Sequence, residues 1–464
     1  MMAGNLWKSV NYMLFRKIEA QIEEYLQSKD DRIMIVDGAR QIGKSFIIRE
    51  VGSKLYTNFI ELNFVRDDEG PQLFKNIRTT EEFYFILSSV YGENLDTYEN
   101  TLIFLDEIQH YPQFLTLLKF FREEHRFRFI ASGSLLGLAL RGTTSIPVGS
   151  IIQKHMYQLD FEEFLIANGF GKEALASLKK MIESRISPDE NIHNYIMDLF
   201  RRYLLVGGLP EVVCKYLETR NIVQVRQFQE SIKALYEADA VKYEKESSRT
   251  LLIKKIYNMI PSQMENKKKR VVVKEIRNKV GDRYDNYTEE FEYLTSSGIA
   301  LSVNAVSNPK YPLAESVHKN LLKLYLNDVG LLTLLLFRNN VHPVLTDERS
   351  VNLGSVYESV VAQELAAHGH KLFYYDNKQK GEVDFLVDDY RNIGVLPIEV
   401  KSGKDYSTHS ALDNLLTTPD YGVKSALVLS NSREIRTDGK VTYLPVYSVM
   451  FLNADEVSPE EVFF

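Results

Sequence analysis

The chain has 464 residues, with 56 Lys and Arg against 63 Asp and Glu, for a formal charge of −7. At about 100 to 200 residues per domain this length predicts roughly three domains. Hydrophobic residues at 44 %, aromatics at 11 % and charged residues at 26 % exclude disordered, collagen-like and coiled-coil chains.

A single cysteine, Cys214, excludes an intrachain disulfide framework and a cysteine-based zinc site, which fits a reducing cytoplasm. The nine histidines form no metal-spaced set. His368 and His370, about 200° apart around one helix, read as helix-surface or C-cap residues. The opening MMAGNLWKSVNYMLFRKIEAQ has no apolar core followed by a small-residue cleavage site, so it does not read as a secretory signal. The longest apolar run, Leu331 to Phe337, falls far short of the roughly 20 residues of a membrane helix. The expectation is a cytoplasmic protein with no membrane partner. A net-acidic chain argues against whole-surface nucleic-acid binding and leaves a local basic patch open.

In chain order, an amphipathic opening (Leu14, Ile18, Ile22, Tyr25 and Leu26) precedes four short apolar runs: RIMIVD, NFIELNFV, TLIFLDE and RFRFIASGS. Between them lie FIIREVGSKL, EEFYFILSSVYG and FLTLLKFFREEH, each with helical spacing. Short apolar strands alternating with helices predict βαβ units and a parallel sheet. The expected divisions are an α/β nucleotide domain over 1–165, a helical linker over 166–241 broken by the turn VGGLP, a winged-helix-like segment over 242–330, and an α/β domain over 331–464. The third rests on three short helical stretches followed by IALSVNAVSNPKYPLAE, which reads as a two-stranded ribbon. The fourth offers a helix from Ser355 to His368, strands KLFYYD, EVDFLVDD and VLPIEVKSG, a helix from His409 to Leu416, and the strand SALVLS.

GARQIGKS, made of Gly38, Ala39, Arg40, Gln41, Ile42, Gly43, Lys44 and Ser45, matches the phosphate-loop pattern G-x-x-x-x-G-K-[ST] between a strand and a helix. Its glycines let backbone N–H groups close on phosphate oxygens at a helix N-terminus. In that chemistry Lys44 reaches the β- and γ-phosphates of ATP and the Ser45 hydroxyl binds Mg²⁺. An apolar strand ending in two acids places Asp106 toward the same Mg²⁺ and Glu107 as the residue that orients attacking water. Ser132 and Ser134, closing the next strand, are candidates to sense the γ-phosphate. Arg141 is a candidate arginine finger for a neighbouring subunit in a homo-oligomer, and Arg40 a candidate contact to nucleotide or partner.

The combination GARQIGKS, FLDEIQ, ASGS, DFEEFL, YLLVGGLPEVV and KLYLNDVGLL resembles the prokaryotic AAA+ ATPases fused to a C-terminal domain of unknown function with a restriction-endonuclease-like core. The resemblance runs from about Phe15 to Gly403. It implies an AAA-type ATP-binding domain, a winged helix and a nuclease-like terminus. Asp160 stands where that family usually has serine, and no role is carried to it.

Between Lys242 and Arg283 there are thirteen Lys or Arg and five Asp or Glu, a local +8 that peaks at KKKR, Lys267 to Arg270. One reading is a phosphate-backbone contact surface; the other is a solvated loop or protein contact. The helix that would enter a DNA groove, Tyr284 to Ser297, carries Asp285, Glu289, Glu290 and Glu292 and no Lys or Arg, which opposes sequence-specific reading.

Near the C-terminus, alternation in EVDFLV puts Val383, Phe385 and Val387 on one face and Glu382, Asp384 and Leu386 on the other. IEVKSG puts Glu399 and Lys401 side by side, and pairing of the two strands brings Asp384 near Glu399. Two carboxylates and a lysine at one sheet edge can bind a divalent cation and orient water at a phosphodiester. The order Asp384, Glu399, Lys401 resembles the PD-(D/E)xK nucleases. Glu358 shares an apolar helical stripe with Val361, Ala362 and Leu365, so it needs a partner or a metal. The functional readings are a Mg²⁺-dependent ATPase, with a nuclease-like domain acting on nucleic acid, or a nucleotide-dependent switch or scaffold that binds a protein partner and cleaves nothing.

Overall fold

The computed structural model describes residues 13–454 apart from residues 93, 94 and 96, 135–148, 244–246, 267 and 268, 278–280, 349–352, and 404 and 405. Two compact units divide the chain: Phe15–Tyr157 with Glu292–Ile299, and Gln158–Phe291 with Ala300 onward.

The first unit is built on a parallel sheet of β1 (Ile33–Asp37), β2 (Asn58–Asn63), β3 (Thr101–Asp106), β4 (Arg128–Gly133) and β5 (Ile151–His155), in the order β2-β3-β4-β1-β5. The four apolar runs of the sequence are β1 to β4. The short β5, whose side chains are half-buried or exposed, has no comparable signal. Helix α1 (Lys17–Gln27) buries Ile18, Ile22, Tyr25 and Leu26, as its spacing predicts. Alternation sends Ile33, Ile35, Ile103 and Leu105 into one core with residues of α3 (Thr80–Tyr91) and α4 (Gln113–Glu124). This core is aromatic-rich, and the rings of Phe121 and Phe129 stack at 4.6 Å. Helix α2 (Lys44–Leu55) takes the other face: a Cβ at Gly52 would lie 2.5 Å from the Phe59 ring. Helices on both faces are what a parallel sheet requires.

In the second unit, α5 (Phe161–Ala167) begins at a capping box in which Asp160 and Glu163 each bond the other's backbone N–H. Helix α6 (Glu190–Val206) ends at VGGLP, and the chain restarts as a helix at Pro210. Gly207 sits at φ +75°, and a Cβ on it would lie 2.1 Å from Asp328 Oδ1. Gly208 N donates to Asp328 Oδ2 at 2.7 Å, while Asp328 also caps the helix that starts at Val329 by accepting from Leu331 N. Helix α7 (Ser247–Glu265) follows, and helix α8 (Thr288–Ser296) begins in this unit, its residues from Glu292 on belonging to the first. Arg249 forms ion pairs with Glu289 and Glu290, so the acids expected to repel a DNA groove have a cation of this chain among them. The apolar run after Val329 is α9 (Val329–Phe337), whose residues Val329 to Leu334 are buried. No described helix is long and apolar enough to cross a membrane.

The ribbon forms, but not as a wing. Its strands β6 (Ala300–Val306) and β7 (Val317–Leu326) pair antiparallel, and β6 also pairs in parallel with β8 (Phe373–Asn377). Val303, Ala305 and Val306 of β6 are fully buried, and the ribbon forms one end of a larger sheet in which β7 is the edge strand. That eight-stranded mixed sheet continues through β9 (Gly381–Asp389), β10 (Gly394–Lys401), β11 (Ala426–Ser430), β12 (Arg436–Asp438) and β13 (Val441–Pro445), in the order β12-β13-β11-β10-β9-β8-β6-β7. Helix α10 (Gly354–Ala367) is buried from Ser355 to Ala366 and packs against α9 and β10. His368 caps it, as one of the two sequence readings has it. The ring is not at the surface: its Nε2 lies 3.3 Å from Asp160 Oδ2, and both residues are buried.

Candidate functional site

At the C-terminal end of the first sheet, the chain leaves β1 at Asp37 and enters α2 through the phosphate loop. The loop depends on backbone freedom. Gly43, the N-cap of α2, lies at φ +91°, and Gly38 at φ +137°, where a Cβ would lie 2.2 Å from the Met156 carbonyl oxygen. Lys44 Nζ donates to the carbonyls of Gly38 (3.0 Å) and Ala39 (2.7 Å), so its ammonium lies within the loop. Burial pushes that ammonium below its usual pKa against the pull of Glu107, Asp106 and Asp37. Arg40 Nε reaches Ser134 Oγ at 3.4 Å.

The β3 tip meets this loop. Asp106 Oδ1 accepts from Ser45 Oγ (2.7 Å) and Ser132 Oγ (2.5 Å), and its Oδ2 accepts from Asn63 Nδ2 (2.7 Å). Burial raises the Asp106 pKa, opposed by the two hydroxyls. Glu107 takes the left-handed conformation at φ +56°, a strained backbone for a residue with a side chain. Its Oε2 accepts from Gln109 Nε2 and from Ser134 Oγ (3.2 Å), while Gln109 Nε2 also reaches Ser134 Oγ at 3.1 Å. Burial would raise Glu107, but Lys44 and Gln109 outweigh it and hold the carboxyl below its ordinary value. An ionised carboxylate fixed by two donors can orient water; a serine hydroxyl beside an aspartate can hold Mg²⁺.

Several of these positions escape sequence reasoning. Asn63 ends β2 with nothing to mark it. Gln109 is visible in FLDEIQ without a stated role. Arg16, from the start of the chain, donates to Ile42 O at 2.9 Å and to Tyr157 O at 2.5 Å, which anchors the loop from behind. Gly298 lies at φ +72°, and a Cβ there would lie 2.9 Å from Ala39 N. Arg141 lies outside the described residues.

In the second unit, β9 and β10 pair antiparallel with Phe385 opposite Ile398, and Val400 N donates to Asp384 Oδ2 at 2.8 Å. Lys401 Nζ donates to Glu399 Oε1 at 2.8 Å. The alternation expected along EVDFLV breaks. On β8, Phe373 pairs with Leu386 but Tyr375 pairs with Val383, so β9 carries one extra residue at a bulge. Val383 and Leu386 therefore share one core, while Phe385 packs on Tyr325, whose hydroxyl donates to Glu358 Oε2 at 3.4 Å.

Glu358 has partners within the chain. Lys269, from KKKR, forms an ion pair with its Oε1, and the fully buried Lys323 reaches Glu382 Oε1 at 2.6 Å. Two residues of KKKR are engaged within the chain: Lys269 turns inward to Glu358, and Arg270 Nη1 lies 3.2 Å from Asp376 Oδ2. Lys267 and Lys268 lie outside the described residues. Burial, with Asp384 close by, pushes both Glu358 and Glu399 up. Burial lowers Lys269 and Lys323, but their carboxylates outweigh it and hold both ammonium groups above their ordinary range. Among the described residues no group of three or more His, Cys, Asp or Glu is arranged to hold a metal ion. Glu358, Asp384 and Glu399 lie in one neighbourhood, but they do not form a ready divalent site.

Residues 30–165 match the AAA domain family, residues 197–341 a domain of unknown function (DUF8612), and residues 353–449 another (DUF4143). No curated protein matches the chain. Among solved structures, a Walker-type ATPase of Pyrococcus abyssi is 15 % identical, with 70 % of this chain and 96 % of that one covered, at a TM-score of 0.43. Cdc6p from Pyrobaculum aerophilum is 11 % identical, with 73 % and 97 % covered, at a TM-score of 0.28. The RuvB Holliday junction branch migration motor of Thermotoga maritima is 14 % identical, with 63 % and 91 % covered, at a TM-score of 0.28. The chain thus carries an AAA-type P-loop ATPase domain at residues 30–165, followed by two domains whose families have no assigned function.

Proposed function

We propose that the protein hydrolyses ATP in a Mg²⁺-dependent reaction at the phosphate loop. The observation that carries this reading is the convergence of Ser45, Asp106 and Ser132 within hydrogen-bonding distance, beside Lys44 and Glu107. Backbone N–H groups of Gly38 to Ser45 would receive the phosphates. Lys44 would exchange its carbonyl partners for phosphate oxygens. Ser45 and Asp106 would hold Mg²⁺, which when bound neutralises charge on the phosphates. Glu107, ionised and held by Gln109 and Ser134, orients the attacking water and takes its proton. Ser132 couples the end of β4 to Asp106.

A second reading, a nucleotide-dependent switch that binds a protein partner and cleaves nothing, is supported by the Lys269–Glu358 pair, which engages a carboxylate the nuclease reading needs for metal. Cleavage of nucleic acid at Asp384, Glu399 and Lys401 is the competing activity. The test is an assay of the purified chain for ATP hydrolysis with and without DNA or RNA, run beside an assay for strand scission. Hydrolysis without scission supports the switch reading, scission lost in Lys401→Ala supports the nuclease, and no hydrolysis refutes the ATPase proposal.

A further inference from the structure

Four buried or half-buried carboxylates, Glu358, Glu382, Asp384 and Glu399, come together in the second unit, and Lys269, Lys323 and Lys401 lie among them. Lys401 belongs to the strand that carries Glu399. The other two lysines come from elsewhere: Lys323 from β7, and Lys269 from the segment after α7. Lys323 is fully buried, with its Nζ 2.6 Å from Glu382 Oε1 and 4.5 Å from the Tyr374 ring centre. That position is part of the sheet's own packing.

Lys269 is different in kind. It lies in a connecting segment, at φ +47°, and its side chain runs inward to Glu358, which is 2 % exposed. The next two residues hold the segment down: Arg270 pairs with Asp376 at 3.2 Å, and Val271 N donates to Leu322 O at 2.8 Å. Opposite, Glu399 Oε2 is buried with no hydrogen-bond partner, so the cluster keeps acceptor capacity that its lysines leave unused. A buried carboxylate group of this size needs cations. A divalent cation held by Glu358 would sit beside the Lys269 ammonium that pairs with its Oε1, and like charges repel.

We propose that Lys269 is a built-in counter-ion that closes the carboxylate cluster to divalent cations. The proposal deepens the switch reading above and rests on the cluster being suited to a cation, two conditions that the experiment separates. With Lys269 present the chain neutralises Glu358 itself. With that charge removed, four carboxylates face two lysines and take up a cation from solution.

The test is Mn²⁺ binding to the full chain without nucleotide, followed by calorimetry and by the electron paramagnetic resonance of free Mn²⁺. Lys269→Met should bind Mn²⁺ at least tenfold more tightly than wild type, and Lys269→Met/Glu358→Gln should lose the gain, which separates this site from the phosphate loop. Lys269→Arg, which keeps the charge, should behave as wild type. Equal Mn²⁺ affinity in wild type and Lys269→Met would overturn the role of Lys269. Absence of binding in both would overturn the cation-site premise while leaving the ATPase reading intact. Should Lys269→Met fail to fold, amine acylation of wild type read by mass spectrometry decides. Lys269 should label at least tenfold more slowly than the exposed Lys119 and gain labelling in Glu358→Gln; labelling of Lys269 at the Lys119 rate in wild type would refute the proposal.

Discussion

Ser45 Oγ donates to Asp106 Oδ1 across 2.7 Å, which joins the last residue of the phosphate loop to the tip of β3 although 61 positions separate them. The parallel order β3-β4-β1 makes that contact local: one strand lies between the two tips, and it contributes Ser132 to the same aspartate. Asp106 is thereby oriented by three donors, and Glu107, one residue on, is turned by its left-handed backbone toward Gln109 and Ser134.

Glu107→Gln should keep ATP binding and lose turnover. Amide for carboxylate preserves shape but removes the proton acceptor, and a general base contributes about 10²- to 10⁴-fold. Phosphate release should fall by at least about 10²-fold while nucleotide affinity, measured by fluorescence of a labelled ATP, stays within threefold or so.

Gly298→Ala should weaken ATP binding through the loop. Gly298 occupies φ +72°, and the added methyl would lie 2.9 Å from Ala39 N, one of the amides that would receive phosphate. A left-handed alanine costs roughly 1–2 kcal/mol by itself. If the loop amide shifts in response, KM for ATP rises about tenfold, a change of about 1.4 kcal/mol in binding. Unchanged KM with a lowered Tm would show that the strain is absorbed elsewhere.

Asp328 sets a pH dependence of stability. Burial raises its pKa from 3.8 to about 6, against the N–H groups of Gly208, Leu331 and Gly330 and the charge of Arg226. The unfolded chain releases this proton near pH 4 and the folded chain near pH 6. Between those values the folded state holds the proton, so the contribution is present at low pH and is lost as pH rises through the window. The shift corresponds to about 3 kcal/mol. Denaturant unfolding at pH 4.5 to 7 should show wild type losing stability relative to Asp328→Asn as pH rises; a pH-independent difference would contradict the assignment.

The first sheet was legible because its four apolar runs are short and continuous and are separated by three helical patterns, and because GARQIGKS and FLDE name their own places. Strand β5 was not, since its exposed Gln153 and His155 give no apolar run. The ribbon β6–β7 was read correctly as two paired strands and wrongly as a wing, because its pairing with β8 joins residues far apart in sequence. The face reversal at Phe385 arises from a bulge that alternation cannot reveal. Glu358 was recognised as a carboxylate in need of a partner, but the partner lies 89 positions away, in a run that local charge alone assigns to solvent. Short-range chemistry was visible in the residues; the long-range pairing of Lys269 with Glu358 and of Arg270 with Asp376 was not.

The most direct test of the central claim is Mg²⁺-dependent ATP hydrolysis by the full chain, compared with Lys44→Ala of the same thermal stability. The account predicts steady phosphate release by wild type that is lost on chelation of Mg²⁺ and falls to background in Lys44→Ala. Hydrolysis by Lys44→Ala at the wild-type rate, or none by folded wild type, would contradict it.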